Sequence, residues 1–213
     1  MSSYSPAASK ELRRVPCQER GERRVTALLD ATEAVIAKSG YDAATMSAIA
    51  ERAEASIGSL YQFFPNKPAV VRALRIRYVK SIEELWAPLE TAAKALNLPD
   101  IVEHLIDSTI RFVDDHPAFL LLLDAPATTR IPTETRTPIR ERVARILLAH
   151  QPDIPKAKVM RLAAVTLQLM KTMNQLYAEA SAREKREVVQ EFKAVLRSYL
   201  TDRLSSAGSG ARS

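Results

Sequence analysis

The chain has 213 residues, 46% of them apolar and 26% charged, with a net charge of +6. That length allows one or two domains with a core large enough for independent folding, while the longest fully apolar run, Ala118 to Leu123, is far short of the roughly 20 residues a membrane helix requires. Residues 1–75 hold 11 basic and 8 acidic groups and the remainder 20 and 17, so each part carries the same surplus of three and bulk charge points to no partner.

The first element is a segment rich in Ser and Pro that then carries Lys10, Arg13, Arg14 and Arg20 and runs into Arg23 and Arg24. This composition predicts a flexible basic arm over residues 1–20. No apolar run of 7 to 15 residues follows its charges, so no secretory leader is expected. The single Cys17 cannot close an internal disulfide and fits a reducing cytoplasm, which is the expected location.

Residues 21–67 read as three helices. Val25, Leu28, Leu29, Thr32, Val35 and Ile36 give the first a buried face, and Ser39-Gly40 is its stop signal. Thr45 is a natural N-cap for the second, in which Met46, Ile49, Ala50 and Ala53 repeat at helical spacing. Ser56 then caps a third, with Ile57, Leu60, Tyr61 and Phe64 as its apolar stripe. Only Glu54 and Ala55 separate the second and third, which is the signature of a helix-turn-helix.

The outward side of the third helix carries Ser56, Gly58, Ser59 and Gln62 rather than the Lys and Glu of a solvated helix. A glycine inside a helix costs about 1 kcal/mol against alanine, so Gly58 needs a reason. Two present themselves: close approach to the wall of a DNA groove, or packing against a neighbouring helix. Local charge favours the first, because no acidic residue occurs from Ala55 to Ile82 while Lys67, Arg72, Arg75, Arg77 and Lys80 are basic.

The stretch from Arg23 to about Leu74 resembles the DNA-binding domain of the TetR family of bacterial transcriptional regulators. The resemblance lies in Gly40-Tyr41, Thr45, Ile49-Ala50 and Ala53, and above all in the run from Gly58-Ser59-Leu60-Tyr61 through Phe64 to Lys67. It implies that Thr45, Tyr61 and Lys67 bind DNA phosphates, while Ser56, Ile57, Ser59 and Gln62 face the major groove alongside Gly58. Of these only Gln62 has the paired donor and acceptor suited to bidentate reading of adenine. Phe63 stands where many relatives carry His, and its role stays open. The basic arm either reaches the DNA backbone and a minor groove or serves as a solubilising tail.

Residues 68–204 show no alternating strand pattern, and after Ser59 no glycine recurs until Gly208. Prolines therefore set the boundaries, dividing the region into helices of about 68–96, 100–115, 117–124, 133–150, 154–180 and 184–204, followed by a disordered tail over 205–213. The expected fold class is all-α: a three-helix DNA-binding head and a larger helical body for ligand binding and dimerisation. In the last two helices Val159, Leu162, Ala163, Thr166, Leu169, Met170, Met173, Leu176 and Tyr177, then Val188, Phe192, Val195, Leu196 and Tyr199, form wide stripes. One such stripe could serve the monomer core alone, but two wide ones suit a pair that packs inward and also meets its copy, and the resemblance implies a four-helix dimer interface, so residues 154–204 are the expected homodimer interface.

The resemblance also implies an inducer site in the body. Trp86, His104, Arg111, Phe112, His116, Met170, Asn174 and Tyr177 mix apolar surface with orienting polar groups and are the candidates for it. The inducer's identity is open, and no cofactor is expected. No histidine pair among His104, His116 and His150 has metal-ligand spacing, and neither a phosphate loop nor a nucleophile elbow is present, so no metal site, catalytic residue or enzyme activity is expected. The reading is a ligand-responsive repressor acting as a homodimer on a palindromic double-stranded DNA operator. The alternative is a DNA-organising relative without a small-molecule inducer.

Overall fold

The computed structural model describes residues 7–123 and 125–205, with side chains from Glu19 onward. Every regular element among them is helical: α1 (Ala7–Ala43), α2 (Met46–Arg52), α3 (Ile57–Phe63), α4 (Lys67–Leu85), α5 (Ala87–Ala92), α6 (Leu98–Asp115), α7 (Pro117–Leu121), α8 (Thr137–His150), α9 (Lys156–Glu179) and α10 (Ala182–Ser205), with 3₁₀ turns at Ala127–Thr129 and Thr133–Arg136. The chain divides into two compact units, Met1–Leu74 and Arg75–Ser213. The division falls inside α4, seven residues beyond the boundary expected at 67/68.

In the first unit Leu28, Thr32 and Ile36 of α1, Ile49 of α2, Leu60 of α3 and Val70, Val71 and Leu74 of α4 are fully or almost fully buried together. Thr32 sits in that core without penalty because its hydroxyl donates to the Leu28 carbonyl at 2.7 Å. The expected stop signal is present: Gly40 takes φ 76° and ψ 171°, breaking α1 where a side chain would be strained. Residues 7–20, within the expected flexible arm, continue α1 toward its N-terminus. Lys, Glu, Leu and Arg on either side of Pro16 are strong helix formers, and Glu19 and Arg23 pair one turn apart at 3.1 Å. The side chains of Cys17 and of the basic residues before it, like the tail beyond Ser205, lie outside the described residues.

The connection between α2 and α3 is a Schellman cap. The Ala55 N–H donates to the Ala50 carbonyl at 2.9 Å and the Glu54 N–H to Glu51 at 3.0 Å. This places Glu54 at φ 49°, where glycine is the usual occupant. Nothing in the residue type announces that conformation.

In the second unit proline marks most helix starts, with differences that follow from where proline is tolerated. Pro99 and Pro138 sit in the first turns of α6 and α8, so α6 starts at Leu98, earlier than expected, on Asn97, whose side chain caps the Asp100 N–H at 2.9 Å. Pro88 splits the expected 68–96 helix into α4 and α5. The core joins Ile101, Leu105 and Ile106 of α6, Ile146 and Leu147 of α8, Met173 of α9 and Leu196 and Leu200 of α10. Arg142 and Arg145 of α8 are held by Glu83 and Glu90, the Arg142 Nε lying 2.8 Å from Glu83. Burial alone would raise the Glu90 carboxyl, but hydrogen bonds from Arg145 and Arg142 outweigh it and hold the group below its ordinary value. Lys193 is buried on α10 between Glu103 and Asp107 of α6, the latter at 2.7 Å; burial would lower its ammonium, yet the two carboxylates hold it above the usual lysine range.

The stripes on α9 and α10 divide into two faces. Val159, Leu162, Ala163, Thr166, Met170, Met173 and Tyr177 of α9 are buried, as are Val189, Leu196 and Leu200 of α10. Leu169 and Leu176, and Val188, Phe192, Val195 and Tyr199, belong instead to half-buried or exposed surface. With Val165 and Thr172 these make two largely apolar rows at helical spacing, 165/169/172/176 and 188/192/195/199, half-buried or exposed in the single chain.

Candidate nucleic-acid interface and regulatory cavity

The α3 surface is built by its cap and its short length. Ser56 accepts from the Ser59 N–H at 3.1 Å, and Thr45 starts α2 in the same way, accepting from Ala48 at 3.1 Å. Both side chains are exposed, and an accepting hydroxyl keeps its own proton to donate outward. The expected apolar stripe is corrected: only Leu60 and Phe64 are buried, whereas Ile57 and Tyr61 are 42% and 51% exposed. A helix of seven residues covers one core with a single turn, so its remaining large side chains face out. Gln62 and Phe63 are exposed and Ser59 is half-buried, so α3 presents a mixed apolar and neutral-polar face without a formal charge.

Gly58 is exposed on that face, and a Cβ added to it would meet nothing within 4 Å. Packing against a neighbouring helix therefore does not explain it. Lys67 is more engaged than expected. Its Nζ donates to the carbonyls of Tyr41 at 2.9 Å and Asp42 at 3.1 Å and lies 4.4 Å from the Tyr41 ring centre. It ties the start of α4 to the segment after the Gly40 break, and one of its three N–H donors remains for an outside partner.

A cavity of about 860 Å³ opens in the second unit. Its apolar wall comes from Phe119, Leu122, Leu123, Ile131, Ile139 and Leu167, and its charged lining from Arg75, Arg130, Arg136, Arg140 and Lys171. None of the eight residues expected to line an inducer site borders this cavity. The Trp86 Nε1 donates to the Ser108 hydroxyl at 3.1 Å in the core. Phe112 packs edge-on against Tyr78 and Phe119, which line the cavity, and His116 packs against Phe112 and Tyr78. His104 turns its Nδ1 to the Asp100 carbonyl on its own helix, and Arg111 is exposed. Met170 and Asn174 are buried, and the Tyr177 hydroxyl donates to Asp114 at 3.0 Å. Isolated aromatic and polar residues in helices are more often core or capping groups. The cavity cations come from the 130–140 segment and from α4 and α9, and only their shared approach to one void marks them.

Comparison with known proteins accounts for both units. The family model described as bacterial regulatory proteins, tetR family, matches residues 28–74, and the model described as tetracyclin repressor-like, C-terminal domain, matches residues 97–200. The chain belongs to the TetR family. Its first unit is thus a DNA-binding helix-turn-helix domain of a bacterial transcriptional regulator. Over 99 residues it is 35% identical to the HTH-type transcriptional repressor KstR of Mycolicibacterium smegmatis, a match spanning 46% of this chain and 45% of that protein. KstR of Mycobacterium tuberculosis is 43% identical over 60 residues, 28% of this chain and 26% of its own length. The matched stretches thus span less than half of these curated relatives. A TetR-family transcriptional regulator from Streptomyces coelicolor superposes with a TM-score of 0.69 at 25% identity, covering 85% of this chain and 99% of that one. FadR from Bacillus subtilis, solved in complex with stearoyl-CoA, shares the fold at a TM-score of 0.59 and 16% identity, covering 80% of this chain and 95% of that one.

Among the described residues no helix is long and apolar enough to cross a membrane, and no three His, Cys, Asp or Glu side chains are grouped to hold a metal.

Proposed function

We propose that this TetR-family regulator is a ligand-responsive repressor that acts in the cytoplasm, without enzymatic activity, as a homodimer on a palindromic operator. The observation that carries this reading is the pairing of a bare, uncharged α3 face with bare apolar rows on α9 and α10. The first suits a major groove and the second suits another copy of the same surface across a two-fold axis.

On DNA, the hydroxyls of Thr45 and Tyr61 and the remaining donor of Lys67 meet phosphates and fix the register. Gln62 reads a base edge, Ser56 and Ser59 offer hydroxyls, Ile57 meets a thymine methyl group, and Gly58 lets the backbone come close. A single seven-residue helix reads too few base pairs to select one genomic site. Two copies, spaced for half-sites about 34 to 36 Å apart, read enough. Ligand in the cavity then favours a dimer with another head separation, so DNA and ligand weaken each other's binding by the same factor.

A cavity of this size supports the ligand-responsive reading over a DNA-organising relative without an inducer. A footprint of the purified protein on genomic DNA tests the choice. Protection of one or a few palindromes is the expected result, and many scattered sites of similar affinity would favour the DNA-organising reading.

A further inference from the structure

The second unit treats its cations in two ways. Arg142 and Arg145 are held by Glu83 and Glu90, and Lys193 by Glu103 and Asp107. Around the cavity the pattern reverses. Arg75, Arg130, Arg136, Arg140 and Lys171 line one void, and among the described residues no carboxylate shares that lining or pairs with any of the five; Asp124 lies outside the described residues. Among the described residues the Arg75 guanidinium donates only to neutral oxygens, the Leu122 carbonyl at 3.0 Å and the Thr129 hydroxyl at 3.1 Å. Burial, then repulsion from Arg136 and Arg130, lowers its pKa, as expected for like charges gathered without a counter-ion. The Arg140 Nε is buried without a hydrogen-bond partner. A buried donor of this kind costs stability unless something outside the chain meets it.

We propose that this cavity takes an amphipathic organic anion, whose carboxylate or phosphate head is met by Arg140 and its neighbouring cations while its apolar body lies against Phe119, Leu122, Ile139 and Leu167. This deepens the ligand-responsive reading and rests on it. An inorganic anion alone would leave the apolar wall wet, and a neutral apolar molecule would leave the cations unmet. An organic cation would add to a repulsion already present. The volume of about 860 Å³ falls within the range of roughly 300 to 1,000 Å³ typical of small-molecule sites, so head and body fit together.

The test is calorimetric titration of the full-length protein without DNA. Decanoate, decyl phosphate, decanoyl-coenzyme A, decanol, decyltrimethylammonium and inorganic phosphate are compared below their micelle concentrations, so that the anionic probes separate a carboxylate head from a phosphate-bearing one. At least one amphipathic anion should bind about tenfold more tightly than decanol, decyltrimethylammonium or inorganic phosphate, since each charge-assisted hydrogen bond is worth roughly one decade. Arg140→Gln should remove about tenfold of that affinity and leave decanol unchanged. If Arg140→Gln does not fold, Lys171→Gln, whose side chain is exposed, carries the same comparison with a smaller loss. The proposal is overturned if no anion binds, if decanol or the ammonium probe binds as well, or if the folded variant keeps the parent's anion affinity. Operator titration of the same samples is a separate readout. An anion that binds the cavity without changing operator affinity would leave this inference standing and remove the ligand-responsive reading. Release of DNA by decanol or the ammonium probe alone would do the reverse.

Discussion

The first unit exposes a short helix face that is uncharged and mixes polar with apolar groups, whereas the second exposes or half-exposes two long rows that are mostly apolar. Both surfaces lack cover within one chain, and their chemistry separates the partners they suit. A groove-reading face needs hydrogen-bonding groups of low bulk and gains little from formal charge where it meets base edges. A self-complementary face needs apolar area and loses from any buried charge. A change that respects one surface should therefore damage the other, and the variants below test that division.

The largest effect is expected from a carboxylate on the α10 row. Val195 is 46% exposed in the single chain, so Val195→Glu should leave the fold of the monomer intact. Burying that carboxylate in an apolar dimer contact should cost several kcal/mol, because it has no partner there. Sedimentation at micromolar concentration should show a folded monomer. Operator affinity should collapse with it, since two heads would no longer engage together. A folded monomer that bound the full palindrome as tightly as the parent would remove the dimer-based reading. Leu169→Glu is a less clean probe, because Leu169 is already half-buried in one chain.

Gln62→Ala comes next, with an expected loss of about 1 to 3 kcal/mol on the preferred operator and little on random DNA, so that specificity relaxes at one position in each half-site. Equal losses on both DNAs would move Gln62 to the backbone-contacting class. Lys67→Ala should act differently. It should weaken all DNA sequences alike and lower the salt slope by about 1 per protomer. Because Lys67 also bonds to Tyr41 and Asp42, the same variant should lower the melting temperature of the first unit. A melting change with an unaltered salt slope would make Lys67 purely a structural tie.

Much of the fold was legible in the sequence because its signals are local. Thr45 and Ser56 cap the helices they precede, Gly40 ends the helical run it follows, and prolines mark most of the body helices, whereas the Asn97 cap that starts α6 two residues before its expected position was missed. The polar part of the α3 face, Ser56, Gly58, Ser59 and Gln62, was legible in the same way, whereas Ile57 and Tyr61, placed by their spacing in a buried stripe, turn outward because a seven-residue helix covers the core with one turn. The cavity was not, because Arg75 and Arg140 are brought to one void by the packing of distant segments, and no spacing in the chain encodes that. Lys193 reads as one more charge on a polar helix, yet it is buried between two acids of α6. The α9 and α10 stripes fall between these cases. Periodicity marks residues as apolar at helical spacing, but whether a wide stripe has one buried face or two depends on which neighbour covers it.

The smallest change carries opposite signs on the two properties it touches. Gly58 lies within α3 with open space where a side chain would begin, since a Cβ there meets nothing within 4 Å. Gly58→Ala should therefore stabilise the helix by up to about 1 kcal/mol, removing the backbone freedom of glycine without a clash. For a unit of the size of Met1–Leu74 such a gain raises its melting temperature by roughly 4 to 8 °C. If the α3 backbone approaches the groove wall at that point, the same methyl group meets DNA, and operator affinity should fall while stability rises. Thermal melting and operator titration on one preparation read both signs. A rise in melting temperature with unchanged operator affinity would separate Gly58 from recognition and leave the α3 contact to its side chains. A fall in both would mean that the methyl group strains the helix itself, contrary to the open space around it.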